Sequence, residues 1–291
     1  MPVPVPPVVK TLILERTAGL TASERQLAQV LLEDYPMAGL QSVTRLAAAA
    51  GVSTPTVIRM ARKLGFDGFP DLQNALREEA AAQIRKPMAK REAWLAGAAE
   101  GHILNLFAEA VSANLRQTLD RLDTATFDTV ARLMADPERR LHIAGGRITR
   151  SNADYLFNHM QIIRPGVTLL SASTNVWPQY ILDMDDRTIL VLFDIRRYEQ
   201  DLLKLAKLAR DRGATLVLFT DQWGSPISNV ADHSFNAHVE APSSWDSTLA
   251  LMLLIEALIA EVQSARWDDS RDRIEALEEM FSASRLFRSF S

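Results

Sequence analysis

The stretch FDIRRYEQ, residues 193–200, sets Asp194, Arg196, Arg197, Tyr198 and Glu199 together directly after the apolar run TILVLF. A guanidinium presents a planar fork that binds carboxylate or phosphate through paired hydrogen bonds. A neighbouring carboxylate can meet an amine or hydroxyl of the same molecule. Such a mixed loop suits a small metabolite carrying an anionic group and a polar one. The competing reading is that the charges neutralise one another as a salt-bridged cap on the chain end. Arg147, in GGRITRS, adds a guanidinium after a second apolar run, LHIAGG. Ser171, Ser173 and Thr174, with Ser243, Ser244 and Ser247, are further hydroxyl candidates, although hydroxyls near helix starts usually serve as caps. The ligand-binding set is therefore Arg147, Asp194, Arg196, Arg197, Glu199 and Ser244.

These residues need a scaffold, and the pattern from about residue 129 supplies one. LHIAGG, VTLLSA, TILVLF, TLVLFT and HSFNAHV are short apolar or β-rich runs, mostly separated by longer helical segments. That alternation predicts an α/β domain with a parallel sheet covered on both faces. Ligands of such sheets bind beyond the carboxyl ends of the strands, which is where both arginine-bearing loops fall.

Residues 11–84 read as helices only. TASERQLAQVLLEDY opens with Thr21 three residues before Glu24, a capping-box spacing. In LAAAAGVSTPTVIRMARKLGF, Ala47 and Ala48 permit close helix approach and Gly51 supplies a left-handed turn. Ser53 is the expected N-cap of the next helix, and Val52, Val57 and Leu64 are expected to fill the space beneath it. This is a helix-turn-helix pattern, whose second helix enters the DNA major groove by its N-terminal end. Thr54, Thr56 and Arg59 are expected on that open end; Thr and Ser suit bases or phosphates and Arg59 a guanine edge. Arg62 and Lys63 suit phosphates. Residues 11–91 hold eleven Lys/Arg against eight Asp/Glu, inside a chain of net charge −4.

Several chemistries find no support. The five histidines show no metal-ligand spacing, and the chain has no cysteine. There is no Gly-rich phosphate loop, no GxSxG and no dinucleotide fingerprint, so no cofactor or metal is expected. MPVPVPPVVK reads as an extended arm and not as a secretory leader. No apolar run approaches the roughly 20 residues of a membrane span. A cytoplasmic protein is expected.

The stretch LTASERQLAQVLLEDYP…SVTRLAAAAGVSTPTVIRMARKLGFDGFPDL resembles the N-terminal domain of RpiR-type (MurR/RpiR) bacterial transcriptional regulators. RDRGATLVLFTDQWGSPISNVADHSF resembles the closing part of a SIS (sugar isomerase) domain, with Thr220-Asp221, Ser225-Pro226 and Ala231-Asp232 at the matching places. The resemblance implies a DNA-binding repressor or activator, a homodimer or homotetramer on a double-stranded operator, whose SIS domain senses a phosphosugar. Phosphosugar-binding SIS domains usually carry Gly-x-Gly-Ser-Ser after the first strand and Ser-x-Ser-Gly-x-Thr after the third. Here Arg147 and Ile148 stand at the first pair of serines, and Asp194, Arg196, Arg197 and Glu199 at the second set. A small anionic effector, not necessarily a phosphosugar, is therefore expected. The alternative is a SIS-domain sugar-phosphate isomerase, with Glu199, Glu240 or His238 as base; the lost hydroxyl cradle removes its substrate handle, and a non-enzymatic regulator is the reading.

The expected organisation is mixed. A flexible arm covers 1–10 and an all-α helix-turn-helix domain 11–86. A helical connector covers 87–128, an α/β SIS-like sandwich with a parallel sheet 129–265, and a C-terminal helix 266–291.

Overall fold

A computed structural model describes residues 8–33, 35–84, 88, 90 and 101–285. The chain divides into two compact units, 1–86 and 87–291.

The first unit is helical. Helices α1 (Val9–Glu15), α2 (Ala22–Glu33), α3 (Val43–Ala49), α4 (Thr54–Lys63) and α5 (Phe69–Ile84) follow one another, with a 3-10 turn at Met37–Leu40. The arm expected over 1–10 ends earlier: Val9 and Lys10 already belong to α1, because Val9 is wholly buried in the core. Residues 1–7 lie outside the described residues. The capping box at α2 forms in both directions: Thr21 N–H donates to Glu24 Oε2 at 2.8 Å and Glu24 N–H to Thr21 Oγ1 at 3.4 Å. Gly51 turns the chain from α3 into α4 at φ +61°, a conformation that costs an L-residue with a Cβ. Leu27, Leu31, Leu46, Ala47, Val57, Met60, Leu64, Leu72 and Leu76 form the buried core.

The second unit is an αβα sandwich, as its alternating grammar predicts. It contains α6 (Ile103–Leu119), α7 (Thr124–Ala135), β1 (Arg140–Gly145), α8 (Arg150–Ile163), β2 (Val167–Leu169), α9 (Trp177–Leu182) and β3 (Thr188–Asp194). These are followed by α10 (Gln200–Asp211), β4 (Thr215–Asp221), β5 (His233–Ala237), α11 (Leu249–Ala265) and α12 (Trp267–Ser284). The five strands run parallel in the order β2-β1-β3-β4-β5. β3, central and buried along its whole length, pairs Val191 with Val217 and Phe193 with Phe219. The two phenyl rings stack with centroids 4.7 Å apart.

Strand alternation splits the core in two. Leu141, Ile143, Ile189, Val191, Phe193, Val217 and Phe219 face α7, α8 and α11. Leu190, Leu192, Leu216 and Leu218 face α9 and α10. The helix over 103–119 belongs to this unit: Val111, Asn114 and Thr118 are buried, and Asn114 Nδ2 donates to Glu240 O at 2.7 Å. Ile103, at its start, is exposed. No helix among the described residues is long and apolar enough to cross a membrane.

Candidate functional site

β1 and β3 lie side by side, yet the helix that follows β1 packs on one face of the sheet and the helix that follows β3 on the other. Their loops therefore part at the carboxyl edge and leave a crevice, the usual ligand position in a doubly wound sheet. Both arginine-bearing loops meet there. On the β1 side, Gly146 N–H donates to Thr149 Oγ1 at 2.9 Å, and Thr149 Oγ1 donates to Phe193 O at 2.6 Å. Across the crevice the Glu199 carboxylate accepts from Arg147 N–H at 2.6 Å. A Cβ on Gly146 would stand 2.6 Å from Glu199 Oε1, so the carboxylate fills the space a side chain would take. Glu199 thus brings the protein's own anion against the β1 loop.

The β3 loop is held from below by two buried carboxylates. Asp194 accepts from Glu199 N–H at 3.2 Å and from the Ser225 hydroxyl. Asp221 accepts from Arg196 N–H at 2.6 Å, Tyr198 Oη at 2.8 Å, Trp223 N–H at 3.0 Å and Gly224 N–H at 3.1 Å. Arg197 makes this possible by turning left-handed at φ +67°, which returns Tyr198 and Glu199 toward the sheet. Burial pushes the Asp194 carboxyl up to about 7 against the pull of the Ser225 and Glu199 donors, with Asp221 and Glu199 as repelling neighbours. Burial also raises Asp221, opposed by its donors.

Arg196 is not offered to solvent. Its Nε lies 2.8 Å from Asp246 Oδ2, its Nη2 3.4 Å from Glu240 Oε1, and its guanidinium carbon 4.3 Å above the Trp223 ring. The other Asp246 oxygen meets Lys90 Nζ at 2.7 Å, and Lys90 also donates to Trp245 O at 3.0 Å. The Arg196, Lys90 and Asp246 side chains are 7%, 7% and 11% exposed. Arg196 is therefore neutralised by carboxylates from outside its own loop, while Asp194 and Glu199 accept from backbone N–H groups and the Ser225 hydroxyl. Arg147 and Arg197 differ: both are exposed, and among the described residues neither makes a side-chain ion pair. Ser244 is half-buried in the loop between β5 and α11. Ser173 donates its hydroxyl to Asn175 Oδ1 at 2.5 Å.

The residues nominated as bases are engaged. Glu199 and Glu240 hold the partners just described. His238 lies beyond β5 with Nε2 3.0 Å from Arg121 Nη1, and burial, with Arg121 adding, pushes its imidazole down to about 4. No cluster of three His, Cys, Asp or Glu able to hold a metal exists among the described residues.

In the first unit, α3 and α4 pack across the Gly51 turn as a helix-turn-helix. Arg59 and Arg62 are exposed on α4, and Thr54 is half-exposed at its start. Thr56 departs from its expected place on the open face: it is buried, and its hydroxyl meets Ser53 Oγ at 2.9 Å and Arg59 Nη2 at 2.9 Å. Helical spacing turns residue 56 to the same side as Met60, inward. Ser53 occupies the N-cap position, but its hydroxyl binds Thr56 instead of a backbone N–H. Arg62 Nε donates weakly to Asp67 O at 3.4 Å. Lys63 is tied to the fold: its ammonium meets buried Glu24 at 2.7 Å and Gly19 O at 3.3 Å.

Four residues central to this geometry escaped the sequence reading of the site: Lys90, Asp221, Trp223 and Asp246. Asp221 stood in the Thr220-Asp221 pattern without a role. Lys90 and Asp246 are separated by 156 residues, so no local spacing could pair them.

Residues 8–83 match the family described as "Helix-turn-helix domain, rpiR family", and residues 134–261 match "SIS domain". Among curated proteins, the HTH-type transcriptional regulator HexR of Escherichia coli K12 is 24% identical over 278 residues, 92% of each chain. HexR of Pseudomonas aeruginosa is 26% identical over 227 residues, 75% of each chain. Among solved structures, the Vibrio vulnificus NanR protein complexed with ManNAc-6P aligns over 97% of this chain and 100% of its own, with a TM-score of 0.57 and 17% identity. The sugar isomerase domain of an RpiR transcription factor from Sphaerobacter thermophilus aligns over 60% of this chain and 97% of its own, at the same TM-score of 0.57 and 17% identity. The second unit therefore has the SIS fold, and the chain carries an rpiR-family helix-turn-helix domain ahead of it, the pairing found in RpiR-type transcriptional regulators.

Proposed function

We propose that this protein is a transcriptional regulator that binds a double-stranded operator through α4 and senses a small anionic metabolite in the crevice between the β1 and β3 loops. The observation that carries the first half is the α3–α4 pair: packed across the Gly51 turn, it leaves Thr54 half-exposed at the start of α4, Arg59 exposed at its middle and Arg62 exposed in its last turn. Arg59 reads a base edge; the Ser53–Thr56 hydroxyl pair steers its guanidinium. Arg62 grips a phosphate, and Lys63 supports α4 from Glu24 while lending charge to the same surface. A single α4 reaches only one half-site, so a homodimer or homotetramer on paired half-sites is the working form.

For the second half, the exposed guanidiniums of Arg147 and Arg197 are the groups that take the effector's anion. Arg196, Asp194 and Glu199 build the loop they stand on. The phosphosugar named with NanR shares the anionic character this reading asks for. Ser244 is assigned to a hydroxyl of the effector. Catalysis is disfavoured because each nominated base already holds a protein partner.

Fluorescence anisotropy with a duplex from upstream of the protein's own gene tests the reading. Affinity should fall steeply as salt rises. Arg59→Ala should weaken binding and relax base preference at one position, a loss of about 1–3 kcal/mol. A variant that binds every duplex as the parent does would remove α4 from the DNA. Arg147→Ala with Arg197→Ala should abolish the response to ManNAc-6P or any other anionic metabolite that alters DNA affinity.

A further inference from the structure

Arg196 reaches Asp246 from the effector crevice, and Lys90 reaches the same carboxylate from the other side. Each cation takes a different oxygen, at 2.8 and 2.7 Å, and all three side chains are nearly withdrawn from water. Lys90 is no ordinary neighbour. It lies four residues beyond Lys86, where the helix-turn-helix unit ends. Its second bond, to Trp245 O, ties it to the same short loop that carries Asp246. Arg196 in turn sits between β3 and α10, its backbone N–H on Asp221 and its guanidinium over Trp223.

We propose that Asp246 is the positioning residue that couples the effector loop to the chain segment leading from the DNA-binding unit. This rests on the reading of the crevice as an effector site. Two cations sharing one buried carboxylate cannot be perturbed independently. If an anionic ligand draws the β3 loop and Arg196 toward the crevice, Asp246 loses one of its two tethers. The carboxylate is then free to rotate, and its hold on Lys90 slackens. Desolvation makes this steep, because a buried ion pair tolerates little misalignment before its Coulomb energy no longer offsets the cost of burial. Glu240 is the second acceptor at Arg196 and keeps the guanidinium from being stranded in the released state.

The test needs no effector. Hydrogen–deuterium exchange is followed on the full-length protein in peptides covering 88–92 and 195–199. Arg196→Met should speed exchange around residue 90, and Lys90→Met should speed exchange in the β3 loop. Each change should be about fivefold or more, the lower end of coupling between protein sites. In an Asp246→Asn background both remote effects should shrink, since the shared charge is gone. If each substitution changes only its own peptide, or if the remote effects persist with Asp246→Asn, the coupling role is overturned. Should Asp246→Asn fail to fold, Asp246→Glu replaces it: moving the carboxylate by one methylene should lower both remote effects together, and leaving both intact would refute the proposal. Operator binding is scored separately by anisotropy, so loss of DNA binding in the parent protein would strike the regulator reading and leave the exchange result standing.

Discussion

Replacing Tyr198 by Phe removes one hydroxyl and nothing else, and the structure fixes what that hydroxyl does. It donates at 2.8 Å to Asp221, a carboxylate with no solvent exposure. A hydrogen bond to a charged acceptor contributes about 1.5–3 kcal/mol net. Asp221 keeps its backbone donors from Arg196, Trp223 and Gly224, so it is weakened without being stranded, and the lower part of that range applies. The expected loss is about 1.5–2 kcal/mol in the stability of the SIS unit. With a urea slope of about 2.5 kcal/mol per molar, the unfolding midpoint should fall by about 0.6–0.8 M. Urea titration monitored by tryptophan emission suits the measurement, since Trp223 borders the loop and its ring carries Arg196. Tyr155→Phe is the control: its hydroxyl bonds Glu256 on the surface and its loss should leave the midpoint in place. A Tyr198→Phe midpoint within about 0.2 M of the parent, given that slope, would mean that the phenol does not anchor the loop, and the account of Asp221 as its buried post would fail.

Asp194 makes the SIS unit sensitive to pH. Its folded carboxyl stands at about 7 against an ordinary 3.8, so its contribution is fully present below pH 4 and is lost as pH rises through 7. Three units correspond to at most about 4 kcal/mol; Asp194→Asn should flatten the stability profile between pH 4 and 7, and an unchanged slope would refute the assignment. Gly146→Ala forces the Glu199 carboxylate off Arg147 N–H and should cost about 1 kcal/mol. Adding Glu199→Ala should make little further difference, which a double-mutant thermal denaturation would detect. Glu24→Ala removes the acceptor of Thr21 N–H and the Lys63 partner while leaving the Thr21 hydroxyl on the α2 backbone, and should destabilise the helix-turn-helix unit by about 1–2 kcal/mol in urea.

The sequence signalled the scaffold more fully than the site. Strands such as TILVLF are continuous apolar runs because β3 is buried on both faces, and burial writes itself into every residue. The turn at Gly51 and the cap at Thr21 are local devices, readable from a few neighbours. Thr56 was misjudged because a threonine three residues into a helix looks polar whichever way it faces; only the inward turn beside Met60 decides it. The two loops were correctly located by strand ends, but their charges were ambiguous. Whether Arg196 faces a ligand or Asp246 depends on a contact 50 residues away in sequence. Lys90, further still, carried no signal, since a lysine in a polar helical stretch reads as solvated surface.

The seat that Glu199 takes against Gly146 also bears on how this sequence can change. A side chain at 146 is excluded while the carboxylate stays, and a shorter residue at 199 leaves Arg147 N–H without its acceptor while 146 is still bare. Each single replacement therefore passes through a less favourable intermediate, and the two positions are bound into one heritable unit.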